Sequence, residues 1–140
     1  MKKRMSKDIE ESEELNLDFR KLEKAIEQVK GVIVAVAQDL VSKEVLIIGF
    51  INRAALDYSI KYQTAAFWST SRNELWVKGK TSGEYLELVD IFINCEQNSV
   101  LYKVKISNKG ACHTKNKEGS PRKSCFYRKI KDGKLLFTEK

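Results

Sequence analysis

The residues best suited to chemistry in this chain lie near its carboxyl end. Cys112 and Cys125 are two of the three cysteines, and His113, the only histidine, directly follows the first of them. The third cysteine is Cys95. Thiolate sulfur binds zinc strongly, and an intracellular protein with few cysteines near a histidine uses them for metal binding or catalysis more often than for disulfides. The pattern therefore indicates a zinc site.

The number of ligands decides what such a zinc ion can do. Thiolates from Cys95, Cys112 and Cys125 would leave one tetrahedral position open, where a water molecule can be activated to attack a substrate. A fourth ligand, His113, would close the site. Neighbouring residues in an extended segment point to opposite faces, which disfavours Cys112 and His113 on one ion, although a turn would permit it. The spacing is not that of a standard zinc finger or ribbon, so structural zinc and inert thiols remain alternatives.

Several short motifs follow one another along the chain. They are residues 35–39 (AVAQD), 44–46 (EVL), 49–56 (GFINRAAL), 67–72 (FWSTSR), 75–79 (LWVKG), 81–83 (TSG), 110–114 (GACHT) and 124–128 (SCFYR). Together they resemble the phosphoribosyl-AMP cyclohydrolase family of histidine biosynthesis, over residues 31 to 128. An ordered set of separate motifs is far more specific than one short match.

The resemblance implies an enzyme that adds water to the adenine ring of N1-(5-phosphoribosyl)-AMP and opens it between N1 and C6. It also implies a homodimer that depends on zinc and magnesium. In that family three cysteines hold the zinc, one of them from the partner subunit, and the matching positions here are Cys95, Cys112 and Cys125. The link between Cys112 and Cys125 is longer than is common in the family. Because closure entropy grows only logarithmically with loop length, both thiolates can still reach one ion.

The magnesium site that the resemblance implies is altered in this chain. The family has alternating aspartates around the first cysteine, and here those positions are Asn94, Glu96 and Asn98. In a strand they would share one face and Cys95 would point to the other. Since magnesium prefers carboxylate oxygen and water, the loss of two charges should lower its affinity. Either substrate phosphate and Glu96 hold the metal, or the enzyme dispenses with it.

His113 is the candidate for proton transfer in the proposed reaction. A zinc ion with three thiolate ligands is electron-rich and acidifies its water weakly, so a neighbouring base must assist. An imidazole, with a reference pKa of about 6.5, can take a proton from the water and return one to the departing ring nitrogen. We therefore predict a catalytic role for His113, with a purely structural histidine as the alternative.

A second group of polar residues could bind the substrate, which bears two phosphates. These side chains offer guanidinium, ammonium and hydroxyl donors for phosphate and ribose, and an indole for stacking on adenine. They are Arg72, Lys78, Lys80, Thr81, Ser82 and Trp68. We favour phosphate binding over stacking, because an aromatic residue in a strand usually belongs to the core. The lysines would also fit a solvated strand end.

The charge distribution leaves other functions open. The chain has a formal net charge of +7, and residues 101 to 140 contain twelve basic and three acidic side chains. A basic region attracts a doubly phosphorylated nucleotide, but it would also attract RNA. Two alternatives to the cyclohydrolase are therefore a related zinc hydrolase for another purine nucleotide and, with less support, a noncatalytic zinc module that binds RNA.

Hydrophobic periodicity predicts an α+β fold with a mainly antiparallel sheet and flanking helices, and the family resemblance implies that the domain forms a zinc-containing homodimer. Apolar residues at helical spacing predict a helix over residues 15–29 that packs on the domain, and the acidic residues before it are candidates for disorder. A second helix follows the capping residue Asn52 through Tyr62. Strand patterns cover residues 32–38, 45–51, 65–69, 75–78, 85–95 and 100–106, and a final hairpin joins 126–130 to 135–137 through Asp132 and Gly133.

The chain has the length of one ordinary domain. We assign residues 1–30 to an amino-terminal helical extension and residues 31–140 to the cyclohydrolase domain. No apolar run approaches the roughly 18 residues of a membrane span, and the basic start is followed by acidic residues instead of an apolar signal core. We therefore expect a cytoplasmic protein that does not contact a membrane.

Overall fold

The computed structural model describes residues 6–140, with side chains from Ile9 onward. Helices and strands alternate irregularly along this part of the chain. In chain order they are α1 (Ser6–Glu11), α2 (Lys21–Gln28), β1 (Ile33–Asp39), β2 (Val45–Ile51), α3 (Arg53–Tyr62), β3 (Ala66–Ser69), β4 (Glu74–Val77), β5 (Leu86–Ile93), β6 (Ser99–Ile106), β7 (Arg128–Lys131) and β8 (Lys134–Phe137).

The central sheet has four strands in the order β2-β1-β6-β5. The outer pairs β1–β2 and β5–β6 are antiparallel, and only the middle pair β1–β6 is parallel. Two antiparallel hairpins, β3–β4 and β7–β8, complete the strands. The structure thus confirms an α+β fold that is mostly antiparallel and has few helices.

Alternation along the strands sets which face of the sheet is buried. In β1, Ala35 and Ala37 are fully buried, whereas Val34, next to Ala35 on the opposite face, is 38% exposed. The inner face packs against β3 and α3, where Phe67 and Tyr102 are the largest fully buried side chains. Complete burial of a side chain of this size contributes about 1.5–3 kcal/mol to the free energy of folding.

The buried tyrosine is hydrogen-bonded rather than merely packed. The Tyr102 hydroxyl lies 3.2 Å from the Ser59 hydroxyl and 3.3 Å from the Ala66 carbonyl oxygen. These contacts join β6 to α3 and β3. Gly49 of β2 has no side chain where Phe67 packs, since a Cβ there would lie 2.7 Å from a Phe67 ring carbon. The tight sheet-to-hairpin contact therefore requires glycine.

The predicted helix after Asn52 is confirmed. The Asn52 side-chain oxygen accepts a hydrogen bond from Ala55 N at 3.0 Å, as an N-cap does. The helix ends at Tyr62, and the next residue, Gln63, has a left-handed φ of 54°. The final hairpin is also confirmed, and its turn residues Asp132 and Gly133 have φ values of 52° and 75°. Two positive φ angles in a two-residue loop match the twist of the flanking strands.

The predicted amino-terminal helix is shorter than expected, and of its apolar residues only Val29, just after α2, is buried. Helix α2 begins only at Lys21, because the Asp18 carboxylate accepts hydrogen bonds from the backbone N–H groups of Arg20 and Lys21, both at 3.1 Å. Leu22 and Ile26 are 53% and 60% exposed. Of the acidic residues before this helix, those up to Glu11 lie in α1. Within residues 6–140, no helix is long and apolar enough to cross a membrane.

The prediction of a strand that runs through Cys95 is wrong at the carboxyl end of that strand. Strand β5 ends at Ile93, and residues 94–98 form the turn to β6, with a φ of 57° at Gln97. The Asn94 side-chain oxygen accepts hydrogen bonds from the backbone N–H groups of Asn98 and Ser99, both at 2.9 Å. Local bonds of this kind compete with strand pairing, so the alternating geometry expected around Cys95 is not formed.

Candidate functional site

The structure brings two of the three predicted zinc ligands together. Cys112 is buried, with 3% of its surface exposed, and its sulfur lies 3.0 Å from the Thr114 hydroxyl oxygen. The Cys125 thiol is near enough to interact with it. The hydrogen bond from Cys125, supported by Thr114, lowers the pKa of Cys112 to about 5. The same contact raises the pKa of Cys125. A lowered pKa favours the thiolate form of Cys112, which is the form that binds soft metals.

Backbone hydrogen bonds hold the long link between the two cysteines closed at its base. Ala111 N donates to Lys123 O at 2.9 Å, and Cys112 N donates to Arg122 O at 3.0 Å. Gly110 lies so close to this partner segment that a Cβ would be 2.4 Å from Arg122 O. The long polar loop can therefore leave and return without separating the thiols, as the closure argument predicts.

Strand β2 fixes the second thiol. Cys125 N donates to Leu46 O at 2.8 Å, and the Ser124 hydroxyl donates to Val45 O at 2.7 Å. Since Leu46 is fully buried, Cys125 is attached directly to the core of the domain. This attachment gives the thiol pair a rigid support, which a metal or catalytic site needs.

Lys78 lies beside the thiols. Its side chain is buried, and this burial lowers the pKa of its ammonium group, whereas negative charge at Cys125, Glu84 and Cys112 acts in the opposite direction. The ammonium group in turn favours the ionised form of Cys125. Lys78 was predicted to bind a phosphate of the substrate. Its position beside the thiols gives it a second role, as the positive charge next to the thiol pair.

Glu84 supports the site and was missed from the sequence. It is 6% exposed, and its carboxylate accepts hydrogen bonds from Lys109 N at 2.9 Å, Gly110 N at 3.4 Å and the Asn108 side chain at 3.2 Å. These bonds position the loop that leads into Cys112. No local motif marks Glu84, because its partners lie about 25 positions along the chain and two of them are backbone groups.

His113 points to solvent while its neighbour Cys112 is buried. Its side chain is 74% exposed, and its Nε2 atom lies 2.6 Å from a carboxylate oxygen of Glu10. Alternation along an extended segment explains the opposite directions of the two residues. His113 therefore stands outside the thiol pair, and its partner Glu10 was not predicted from the sequence.

The third predicted zinc ligand lies elsewhere in the subunit. Cys95 is exposed in the turn between β5 and β6. Among residues 6–140 of one chain, no three cysteine, histidine, aspartate or glutamate side chains form a group that could hold a metal ion. The amide and carboxylate groups around Cys95 bond to each other, Asn94 to Asn98 at 2.6 Å and Asn98 to Glu96 at 3.2 Å.

The predicted substrate-binding residues divide between the two ends of the β3–β4 hairpin. Arg72 lies in its turn, 3.9 Å from Glu74, and the Trp68 indole nitrogen donates to Asn73 at 3.0 Å. Lys78 follows Val77 at the other end, about 13 Å along the strand from Glu74. Lys80, Thr81 and Ser82 are exposed in the next loop. The set therefore offers two separated polar sites.

The family model and the curated relatives that this chain matches all have the same name. Residues 47–127 match the family model for phosphoribosyl-AMP cyclohydrolase. A phosphoribosyl-AMP cyclohydrolase of Hyphomonas neptunium is 46% identical over 110 residues, which cover 79% of each chain. That of Desulfotalea psychrophila is 38% identical, covering 77% of this chain and 80% of the relative. That of Methanothermobacter thermautotrophicus is 41% identical, covering 79% of this chain and 75% of the relative.

The matched region contains the features on which the site depends. It begins within β2, which supports Cys125, and it ends just after the second thiol of the pair. Lys78 and Glu84 also lie inside it. With the motifs, the thiol geometry and relatives matched over more than three quarters of their length, the chain belongs to the phosphoribosyl-AMP cyclohydrolase family.

Proposed function

We propose that this protein hydrolyses N1-(5-phosphoribosyl)-AMP in histidine biosynthesis. Water adds to C6 of the adenine ring, the N1–C6 bond breaks, and the proton that water loses is balanced by one that the departing nitrogen gains. The observation that carries the proposal is the neighbouring pair of the buried Cys112, whose pKa is lowered, and the half-buried Cys125, whose pKa is raised, in a member of this family. The pair is the part of the molecule best suited to hold a catalytic metal ion.

The donor set fits zinc. Cys112 and Cys125 are close enough to interact, and the lowered pKa of Cys112 favours the thiolate that zinc binds. We propose that Cys112, Cys125 and Cys95 of the partner subunit hold the ion, as the family resemblance implies. A bound zinc ion would supply Lewis acidity and lower the pKa of a water molecule at its open position.

The chain's own residues would bind the substrate and move its protons. Arg72 at one end of the β3–β4 hairpin and Lys80, Thr81 and Ser82 beyond the other end would hold the two phosphates and the ribose. Trp68 lies beside Arg72, where its indole could contact the base. Lys78 would keep the thiol pair charged, and His113, at the solvent side of Cys112, would take a proton from water and deliver one to the ring nitrogen.

The turn at Cys95 does not fit a resident magnesium ion. Both Asn94 and Asn98 use their side chains in hydrogen bonds within the turn, and Glu96 is its only carboxylate. Magnesium prefers several carboxylate or water oxygens in an octahedral arrangement. We therefore derive no step of the reaction through magnesium in this protein.

An exposed apolar face supports the proposed homodimer. The outward residues of the central sheet form a continuous apolar surface, with Val34 38%, Ile48 53% and Phe92 54% exposed. The register aligns Phe92 with Leu101, and Leu101 with Val36, across neighbouring strands. Contiguous apolar patches on a soluble protein mark interaction sites. We name this surface the sheet face and propose that a second copy of the chain covers it.

The position of Cys95 favours a second copy over any other occupant. Phe92 and Ile93 lie directly before the turn that carries Cys95, so a subunit docked on the sheet face would also meet this thiol. A third thiolate is what the Cys112 and Cys125 pair lacks. Contact with a second copy would therefore cover the apolar surface and also complete the metal site. Only another copy of this chain can supply Cys95 in this way.

Substitution Phe92→Glu should convert the protein to monomers. The Lys103 ammonium group near the Phe92 ring already donates to Gln38, so a carboxylate desolvated here costs about 3 kcal/mol or more. This cost is a roughly 10²-fold increase in the dimer dissociation constant. Light scattering after size-exclusion chromatography measures the mass directly. Val41→Glu is the matched control, because Val41 is 81% exposed in the β1–β2 connection. A dimeric Phe92→Glu protein would contradict the assignment of this face.

Substitution His113→Ala should leave the metal in place and remove most of the activity. General acid–base catalysis contributes about 10²-fold or more to a rate, and His113 is the only imidazole in the chain. Because its side chain is exposed, the fold should be unaffected. The measurement is kcat together with zinc content by elemental analysis. Normal turnover in this variant would remove the proposed role.

The direct test of function is incubation of the zinc-loaded protein with phosphoribosyl-AMP. Opening of the adenine ring changes the ultraviolet absorbance, so turnover can be followed continuously. The expected result is zinc-dependent hydrolysis of this nucleotide in preference to AMP and ATP. Preference for another purine nucleotide would indicate a related hydrolase, and salt-dependent RNA binding without any turnover would indicate a nucleic-acid module.

A further inference from the structure

A segment near the amino end crosses the carboxyl-terminal part of the molecule. We name residues 9–13 the strap, and their backbone carbonyl groups attach it. The Tyr127 hydroxyl donates to Glu10 O at 2.6 Å. Arg128 Nη1 donates to Ser12 O at 2.8 Å. The strap is therefore bonded on both sides of its central residue.

That central residue, Glu11, forms a bidentate ion pair with a buried partner. The Arg122 guanidinium donates to both carboxylate oxygens of Glu11, at 2.8 and 3.0 Å, and its side chain is only 3% exposed. Arg122 Nε donates to Glu139 O at 3.1 Å, and the central guanidinium carbon lies 4.2 Å from the Tyr127 ring centroid. Because the donors of a guanidinium have a fixed fork geometry, the Glu11 pair holds the Arg122 side chain in one direction.

The backbone of the same arginine is paired with the segment that contains the first thiol. Arg122 O accepts a hydrogen bond from Cys112 N, and Arg122 N donates to Thr114 O, both at 3.0 Å. The Thr114 hydroxyl oxygen in turn lies 3.0 Å from the Cys112 sulfur. The Glu11 carboxylate is thus connected through a single residue to the hydrogen bonds that orient Cys112.

The two thiols differ in how they are supported. Cys125 N donates to the carbonyl of Leu46, a buried residue of β2, so the core fixes Cys125 independently of the strap. Cys112 N is bonded instead to Arg122, which lies in the link between the thiols and outside the helices and strands. The geometry of the thiol pair therefore depends on how firmly Arg122 is held.

The groups that hold the Arg122 side chain come from outside the family match. The family model covers residues 47–127, whereas Glu11 precedes this range and Glu139 follows it. Arg122 lies in the link between Cys112 and Cys125, and a longer link loses more conformational entropy when it is closed. A contact that fixes this link from outside lowers the cost of bringing the thiols together.

We propose that Glu11 is a positioning residue for the metal site: by fixing Arg122, it holds Cys112 beside Cys125 before the metal binds. This role rests on the proposed zinc site. Exposed ion pairs are usually worth little, because two mobile side chains must be ordered together. Here the Arg122 side chain is buried and the strap backbone is bonded on both sides of Glu11, so much of that ordering is already done.

Zinc affinity tests the effect of Glu11 on the site. Competition with a chromophoric chelator gives the zinc dissociation constant of each variant. Groups that support metal ligands typically contribute about 10-fold to 100-fold to metal affinity, so Glu11→Ala should raise this constant by about 10-fold. Glu11→Gln keeps one acceptor oxygen and should give an intermediate value. Glu13→Gln removes a neighbouring exposed carboxylate of the strap and should equal the wild type.

Substitution Ser59→Ala separates positioning from a general loss of stability. The buried Ser59 hydroxyl lies in α3, accepts a hydrogen bond from Ala66 N at 3.0 Å and lies 3.2 Å from the Tyr102 hydroxyl. Its removal leaves a buried N–H group without this partner and should lower the melting temperature. Zinc affinity should nevertheless stay at the wild-type value. A loss of affinity as large as that of Glu11→Ala would show that stability alone explains the effect, and would overturn the positioning role.

Amide hydrogen exchange in the metal-free protein tests the connection directly. If disorder alone lowers zinc affinity 10-fold, the ordered form of the site is only about one tenth populated. In Glu11→Ala the amides of Cys112 and Arg122, which pair the two segments, should therefore lose most of their protection. The amide of Ala37, a fully buried residue of β1, should exchange as in the wild type.

The outcomes separate this inference from the proposed reaction. Neither measurement uses turnover, so an inactive protein that shows both effects would overturn the proposed reaction and support the role of Glu11. Wild-type protein that does not bind zinc would overturn the metal site and the positioning role together. Unchanged zinc affinity, or unchanged exchange at Cys112, in Glu11→Ala would overturn the positioning role alone.

Discussion

Substitution Cys112→Ser is expected to abolish both zinc binding and turnover. A serine hydroxyl does not ionise near neutral pH, whereas the Cys112 thiol has a pKa lowered to about 5 by its neighbours. The variant would lose a charged ligand but keep the shape and hydrogen bonds of the side chain. Since a zinc ion supplies several kcal/mol of transition-state stabilisation, the rate should fall by roughly 10³-fold or more.

The measurement is zinc content per chain with the turnover rate of the same preparation. Thr114→Val is the informative control, because it removes the hydroxyl 3.0 Å from the Cys112 sulfur but keeps the sulfur itself. It should retain zinc and most of its activity. Full activity of the Cys112→Ser protein, or of wild-type protein free of transition metal, would contradict a metal site at this cysteine.

The sheet and its connections were largely predictable from the sequence. Short apolar runs rich in β-branched residues predicted β1 and β2, and a strand pattern predicted β6, all to within one residue at each end. Asn52 marked the start of α3 correctly. These signals are local, because strand formers and capping residues act within a few positions of the chain. The parallel pairing of β1 with β6 could not be predicted in this way, since it depends on how distant segments meet.

The wrong predictions have a common physical cause. Asp18 and Asn94 each accept two backbone hydrogen bonds, and these bonds stop a helix and a strand that the apolar pattern alone would extend. Periodicity reports which residues could be buried, but it does not report where a short polar side chain captures the backbone. The apolar pattern also does not say which residues are buried within one chain. Leu22 in α2 and Phe92 in β5 fit such a pattern and are nevertheless exposed in the single subunit.

The sequence predicted only those residues of the candidate site that belong to rare, reactive types and lie near one another in the chain. The thiols and His113 stood out because cysteine and histidine are rare in this chain. Glu10 and Glu84 did not, because acidic residues are common here and their partners are remote in sequence: the Glu10 to His113 contact spans 103 positions. Contacts of this kind are set by tertiary structure, so composition and spacing carry no sign of them.

Mixing two inactive variants should restore activity if the site is shared between subunits. Cys95→Ser lacks the thiol proposed to enter the partner's site, and Cys112→Ser lacks one of the thiols proposed to receive it. In a heterodimer of the two, one site has all three cysteines and the other lacks two. Random assortment of equal amounts makes half of the dimers heterodimers with one intact site of two, so about one quarter of wild-type activity should return.

The mixture distinguishes a shared site from one built within a single chain. If Cys95, Cys112 and Cys125 of the same subunit held the metal, every chain in the mixture would lack a ligand and the activity would remain absent. The experiment starts from variants mixed under conditions that dissociate and reassociate the dimer, with zinc content measured in parallel. A control mixture of Cys112→Ser with Cys125→Ser should stay inactive, because both variants lose a thiol of the same pair and no assortment can rebuild it.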